Sequence, residues 1–280
     1  MSKQRLSKSD RLFLFFIDAF LALALLLVLL PVAHIVAASF SAPEAVATGR
    51  VTLYPIEFSL KGYATVFKDP TILSGFYNTF FYTICGTAIN IFMTVIAAYA
   101  LSRKNLFGRG VIMFMFTLTM VFDGGLIPSY LLNASLGLVN TRWALLLPGA
   151  INVYNLIIAR TFFQTNVPEE LFEAAAIDGC GHFRFLASVA LPLSKPILAV
   201  LTLYYAVAHW NSYFSALIYL SDRSLFPLQI VLREILVLNT IDPSVVFDPA
   251  LAAEQLGMSE LLKYSLIIVS SVPFMVAYPF

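Results

Sequence analysis

The side chains able to do chemistry in this chain are few and far apart. His34, His182 and His209 share no metal-type spacing, and Cys180-Gly181-His182 supplies too few ligands for a metal site. Cys85 falls inside an apolar run and Cys180 in a polar stretch, so no disulfide between them is expected. No G-x-x-x-x-G-K-S/T phosphate loop occurs, so the chain offers no backbone cradle for ATP, and no nucleophile has a partnered base. Two stretches remain: EELFEAAAIDGCGHFRFLASVALPLSKP (169–196), rich in acids and alanines, and YYAVAHWNSYF (204–214), which mixes aromatic and polar residues. Neither is equipped for a reaction, and both are equipped for contact.

In the first stretch Pro168 fits the opening turn of a helix, and Glu169, Glu170 and Glu173 place negative charge near its positive end. Ala174, Ala175 and Ala176 keep the middle strongly helical and thin, and Gly179 can take the left-handed conformation that ends such a helix. The expected length is about three turns, roughly 16 Å at 1.5 Å per residue. A second short helix over 182–189 should follow, with Leu191-Pro192 breaking the chain before the next element. The unit is a slender rod with acids at one end, shaped to enter a cleft of another protein. It lacks the Trp, Phe and Leu face that would hold it flat on a membrane instead.

The elements that position these stretches follow from composition. The 280 residues are 60% hydrophobic and 12% charged, with mean hydropathy +0.85, which makes the bilayer the solvent. A formal net charge of +1 leaves no polybasic surface, and nothing points to a nucleic-acid partner. Crossing the hydrocarbon core takes roughly 20 apolar residues, all helical because lipid offers backbone groups no partner. Six stretches qualify: 12–38, 76–101, 111–132, 143–163, 196–220 and 261–280. The first is too long for a signal peptide's apolar region and lacks a small-residue cleavage site, so it is read as a retained span.

Lys3, Arg5, Lys8 and Arg11 lie in the tail 1–11, and Arg103, Lys104 and Arg109 crowd the link between the second and third spans. The positive-inside rule puts both regions in the cytoplasm, together with the loop 164–195 and the C-terminus. Segments 39–75 and 221–260 then lie outside. Within the latter, LFPLQIVLREIL (225–236) is too short to cross, and lies partly buried along the surface or re-enters between helices. Asn90, Asn152, Asn155 and Asn211 are expected to bind neighbouring helices, and Gly86, Ala97 and Ala98 to allow close helix approach.

Glu173-Ala174-Ala175, three residues, Gly179, nine residues, then Val189-Ala190-Leu191-Pro192 resembles the EAA-x3-G-x9-I-x-L-P signature of permease subunits of ATP-binding cassette importers, with valine for isoleucine as the departure. The likeness extends over 78–280: GGLIPSYLL, TRWALLLPGAINVYNLIIARTFF and WNSYFSALIYL are similar to the carbohydrate-uptake subgroup, the maltose-type second permease and complex-oligosaccharide permeases in particular. The resemblance implies an all-α integral membrane protein of six spans with the type I importer fold, its core domain over 76–280. It implies that the loop forms the coupling helix, with Glu173, Ala174, Ala175, Asp178, Gly179, Leu191 and Pro192 as coupling positions. Implied partners are a second permease subunit, a dimeric cytoplasmic ATPase that itself binds ATP and Mg, and an extracytoplasmic solute-binding protein that would meet 221–260. It also implies a basic, glycine-containing tail after the last span, where this sequence reads Tyr278-Pro279-Phe280.

The solute path is open to two readings. Tyr204, Trp210 and Asn211 offer aromatic faces and hydrogen-bonding neighbours that suit a sugar passage, while Tyr and Trp also gather at membrane interfaces for reasons unrelated to solute. His209 is expected to be a packed, hydrogen-bonded helix residue, Arg160 to reach headgroups or a cytoplasmic partner, and Asp123 to be hydrated. The alternative to an ATP-driven importer is a secondary transporter driven by an ion gradient. That would call for buried carboxylates near mid-membrane and broken helices in related halves, neither of which the sequence displays.

Overall fold

The computed structural model describes residues 8–238 and 249–277. Lys3, Arg5, residues 239–248 of the external segment and Tyr278-Pro279-Phe280 lie outside the described residues. Regular structure among the described residues is helical throughout. The chain runs through α1 (Lys8–Ser39), α2 (Pro43–Ala47), α3 (Lys61–Val66), α4 (Pro70–Ser102), α5 (Arg109–Val121), α6 (Leu126–Ser135) and α7 (Trp143–Leu146). Next come α8 (Val153–Asn166), α9 (Glu169–Ile177) and α10 (His182–Phe185), the last passing through a π turn (Leu186–Ala190) into α11 (Leu191–Leu193). α12 (Lys195–Trp210), α13 (Phe214–Tyr219), α14 (Leu228–Arg233) and α15 (Pro249–Ala277) follow. Two compact units result, one from the residues up to Pro70 and from Leu232 onward, the other from Thr71–Val231.

In the first unit α1 is apolar on every side and its residues 9–32 are all exposed, a surface that only lipid or another membrane chain can cover. Its C-terminal end is tied down by polar groups: the Tyr63 hydroxyl donates to Ser39 Oγ at 2.8 Å, and Ser41 Oγ donates to the Ala37 carbonyl while accepting the Ile56 N–H. α15 packs close. Gly257 lies against the Pro43 carbonyl, where an added Cβ would stand 2.9 Å from the oxygen, and Gly62 faces Leu261 and Ser265.

In the second unit α4 is the long rod, begun by Pro70 at a position where a missing N–H costs nothing. Val95 and Ala98 of α4 build a core with Leu156 and Phe163 of α8, Phe185 of α10, and Leu201 and Tyr205 of α12. Three expected single helices are broken. The 111–132 stretch is α5 and α6, bent by 118°. Phe122 is extended, Gly125 has φ 84°, and Asp123 Oδ1 accepts the Gly125 N–H at 3.3 Å, so this acid shapes the turn. The 143–163 stretch unwinds between α7 and α8 around Pro148 and Gly149, the latter at φ 75°. The 196–220 stretch breaks at Asn211, which closes α12 by donating to the Val207 carbonyl.

Segment 225–236, expected to be partly buried along the surface or to re-enter, holds a buried helix start: Leu228, Ile230 and Val231 are at most 3% exposed, and the Leu228 N–H donates to Thr79 Oγ1 at 2.8 Å. The loop before it is latched from several sides. Asn78 Nδ2 donates to the Ser224 and Phe226 carbonyls, Tyr82 to that of Leu225, and Asn140 Oδ1 accepts the Ser221 and Asp222 N–H groups. Asp222 caps the turn Arg223–Leu225 by accepting the Ser224 N–H, and these hydrogen bonds hold its carboxyl below the usual carboxylate range.

Candidate functional site

The rod predicted from the acids and alanines is present as α9, nine residues and about 14 Å long, slightly shorter than expected. Pro168 stands in an extended conformation as its N-cap, and Glu169 and Glu170 occupy its first turn. Its far end is a Schellman motif: the Gly179 N–H bonds to the Ala176 carbonyl, the Cys180 N–H to that of Ala175, and Gly179 has φ 75°. An added Cβ at Gly179 would meet nothing within 4 Å, so backbone conformation rather than space requires glycine there.

α9 touches the rest of the unit along one line. Glu169, Phe172 and Ala175, three residues apart, are half-buried, and the other α9 residues are exposed. Phe172 stacks on His182 at 4.3 Å and meets Phe185 edge-on at 5.3 Å, with Tyr99 of α4 behind them. This aromatic wedge sets the angle between α9 and α10. On the outer side Glu173, Ala174, Asp178 and Gly179 are exposed, joined by Ile177 at 88% and Phe183 at 82% exposure. Leu191 turns inward against the core while Pro192 stays exposed.

The break expected at Leu191-Pro192 falls instead at Ser194, where the helix bends by 85° into α12. Pro192 cannot donate to the carbonyl four residues back, and the wider π turn over Leu186–Ala190 absorbs that mismatch, so the helix runs through the proline.

A second feature is a cleft of about 470 Å³, bounded by α4, the unwound Pro148–Asn152 segment, and α12 and α13. Unwinding frees the Gly149 and Ala150 carbonyls, and Asn90 Nδ2 donates to both, at 3.1 and 2.8 Å. The Asn90 oxygen must then accept from His209 Nε2 at 2.6 Å, which places the imidazole proton on Nε2. Gly86 leaves room for the His209 ring, which an added Cβ would strike. The Tyr205 hydroxyl accepts the Asn152 N–H at 3.2 Å and pairs with Thr94 Oγ1 at 2.6 Å, while Asn152 Oδ1 caps α8 through the Asn155 N–H. The remaining lining offers Tyr154, Tyr204, Ser212, Ser215 and Tyr219, and it carries no Lys or Arg.

Residues 90–278 match the family model described as "Binding-protein-dependent transport system inner membrane component". The chain belongs to this family. It is a transport permease of an ABC importer and not an enzyme. The permease is 40% identical over 274 residues to the "Polygalacturonan/rhamnogalacturonan transport system permease protein YtcP" of Bacillus subtilis, covering 97% of this chain and 94% of that one. It is 30% identical over 198 residues to the "Maltodextrin transport system permease protein MdxG" of the same organism, covering 68% and 70%. A chain from the "Crystal structure of a bacterial ABC transporter involved in the import of the acidic polysaccharide alginate" superposes with a TM-score of 0.92 at 34% identity, covering 99% of the permease and 98% of that chain. The expected all-α permease fold is thereby borne out.

Of the three residues expected to serve a solute path, the permease brings one to the cleft. Tyr204 lines it, Trp210 is 4% exposed with its ring edge-on to Phe80 at 5.2 Å, and Asn211 closes α12. Tyr204, Tyr205, Ala208, His209 and Ser212 form one stripe at helical spacing, a signal that would have separated Tyr204 from Trp210. Arg160 Nε donates to the Leu101 carbonyl at 3.0 Å, satisfying the end of α4. Among the asparagines expected to bridge helices, Asn90 does so, whereas Asn152 and Asn211 bond locally.

Proposed function

We propose that this permease is the membrane-spanning half of an ATP-driven oligosaccharide importer, with α9 as the peg that a cytoplasmic ATPase grips. The chain crosses the membrane six times, through α1, α4, α5 with α6, α7 with α8, α12 with α13, and α15. Both termini and the α9–α11 hairpin are cytoplasmic in this reading, which the basic residues around α1 and between α4 and α5 support. A second permease subunit completes the pathway, a dimeric ATPase binds ATP and Mg, and an extracytoplasmic binding protein delivers solute to the outer face that includes the latched 221–228 loop. The observation that carries this reading is the outward face of α9, where Glu173, Ala174, Asp178, Gly179 and exposed Ile177 stand clear of the protein on a rigidly ended helix. Behind that face Ala175 packs against the core of the unit, as Leu191 of α11 does.

Nucleotide closes the ATPase dimer, the gripped pegs approach each other, and the spans swing between inward-open and outward-open states. The cleft beside Asn90 and His209 lies on the solute path, where hydroxyls, amides and the Tyr204 ring suit a glycan. The names carried by the relatives direct the choice of test solutes toward uronic-acid oligomers and maltodextrins. In proteoliposomes holding the whole complex, uptake of one such oligosaccharide should require ATP and the binding protein and survive a protonophore. Uptake without ATP that the protonophore abolishes would instead establish an ion-driven transporter.

A further inference from the structure

We propose that Arg103 is the positioning residue that locks the coupling helix to α4, so that movement of the peg is passed to the cleft. The residue follows the last position of α4 and is only 5% exposed, unusual for a guanidinium. Its Nη2 donates to the Val167 carbonyl at 3.2 Å, its Nη1 reaches the Glu169 carboxylate at 3.5 Å, and its Nε donates to Ser102 Oγ at 3.1 Å. The guanidinium also lies over the Tyr99 ring, 5.0 Å from the centroid. One planar group thus grips both sides of Pro168, the N-cap of α9, and ties them to the C-terminal end of α4. The negative pole of α4 favours a cation at that place.

α4 carries the motion onward. Asn90 and Thr94, which hold the unwound segment and Tyr205 at the cleft, lie on the same helix about 20 Å and about 14 Å from Arg103 at 1.5 Å per residue. A peg pulled by its partner can drag α4 only through what joins them. The buried guanidinium, with one arm on the Val167 carbonyl and the other on the half-buried Glu169 carboxylate, sets the register of α9 on α4.

This inference rests on the reading that α9 docks on an ATPase, so the experiment carries a docking variant beside the clamp variants. The complete complex in proteoliposomes would be assayed for solute taken up per ATP hydrolysed, for ATP hydrolysis alone, and for co-purification of subunits. Arg103→Gln and Glu169→Gln should each lower the uptake-to-hydrolysis ratio by about tenfold, and the double variant should do no worse than either, while hydrolysis and co-purification stay within about twofold. Arg103→Lys should recover less than half of the ratio, because an ammonium keeps the charge but lacks the rigid planar fork that meets Val167, Glu169 and Ser102 at once while lying over the Tyr99 ring. If Arg103→Gln does not assemble, Glu169→Gln decides, since its side chain is 21% exposed and Arg103 keeps its other bonds. An unchanged ratio in Glu169→Gln, with Glu173→Lys uncoupled, overturns the clamp and leaves the docking reading intact. An unchanged ratio in Glu173→Lys overturns both.

Discussion

Glu173→Lys and Gly179→Leu should each cut ATP-driven uptake by up to about 100-fold while the permease still inserts and folds, a loss at the upper end of the coupling energies usual between sites. Glu173 is exposed on the outward face of α9 and makes no contact that the fold needs, so reversing its charge alters the surface offered to the partner. Gly179 acts through the backbone. At φ 75° a leucine costs about 1–2 kcal/mol, which dissolves the Schellman end and lets the last turn of α9 fray. Nothing lies within 4 Å of the added Cβ, so the strain stays local. Uptake and ATP hydrolysis measured together in proteoliposomes check the expectation, and full sugar-stimulated, coupled uptake in both variants would remove these residues from the coupling role.

The second large effect is on stability. Asn90→Leu strips the Gly149 and Ala150 carbonyls and the His209 ring N–H of their partner in one step. At about 1–3 kcal/mol for each orphaned group, the purified permease should lose about 3 kcal/mol or more and melt about 10 °C lower. Adding His209→Leu removes one orphaned donor and should return about 1 kcal/mol. A further fall on that addition would contradict the pairing. The same reasoning makes Gly86→Val damaging from the opposite side, because the new side chain would push the imidazole away from Asn90.

The parts of this fold written in local chemistry were legible in the sequence. α9 is spelled out by Pro168, the acids of its first turn, three alanines and Gly179, and each residue acts within a few positions of itself. α1 and α4 are apolar runs long enough to cross a membrane, which hydropathy detects directly. The breaks within the other apolar stretches were not legible by that route, because the averages over windows containing Asp123-Gly124-Gly125, Pro148-Gly149 and Asn211 remain apolar. Average hydropathy does not register where the backbone unwinds, although the glycines and the proline at the first two points do; Asn211 has neither beside it.

Arg103 shows a different gap. The sequence counts it as a loop charge alone, because its partners Val167 and Glu169 lie more than 60 positions away and are brought near only by tertiary packing. Phe172, Phe185 and His182 are missed for the same reason, since an aromatic wedge between two short helices has no period of its own. Trp210 is the reverse case, a residue chosen for its type that packs edge-on against Phe80 and is absent from the lining of the cleft.

The central claim is that the outward face of α9 is covered by an ATPase inside the cell. Native Cys85 and Cys180 are free thiols, so the test begins from Cys85→Ser/Cys180→Ser and adds Ala174→Cys, on the exposed side of α9. A membrane-impermeant maleimide should label this cysteine in inside-out vesicles holding the permease subunits alone, lose most of that labelling when the ATPase is bound, and leave right-side-out vesicles unlabelled. Labelling from the outer medium, or equal labelling with and without the ATPase, would contradict it.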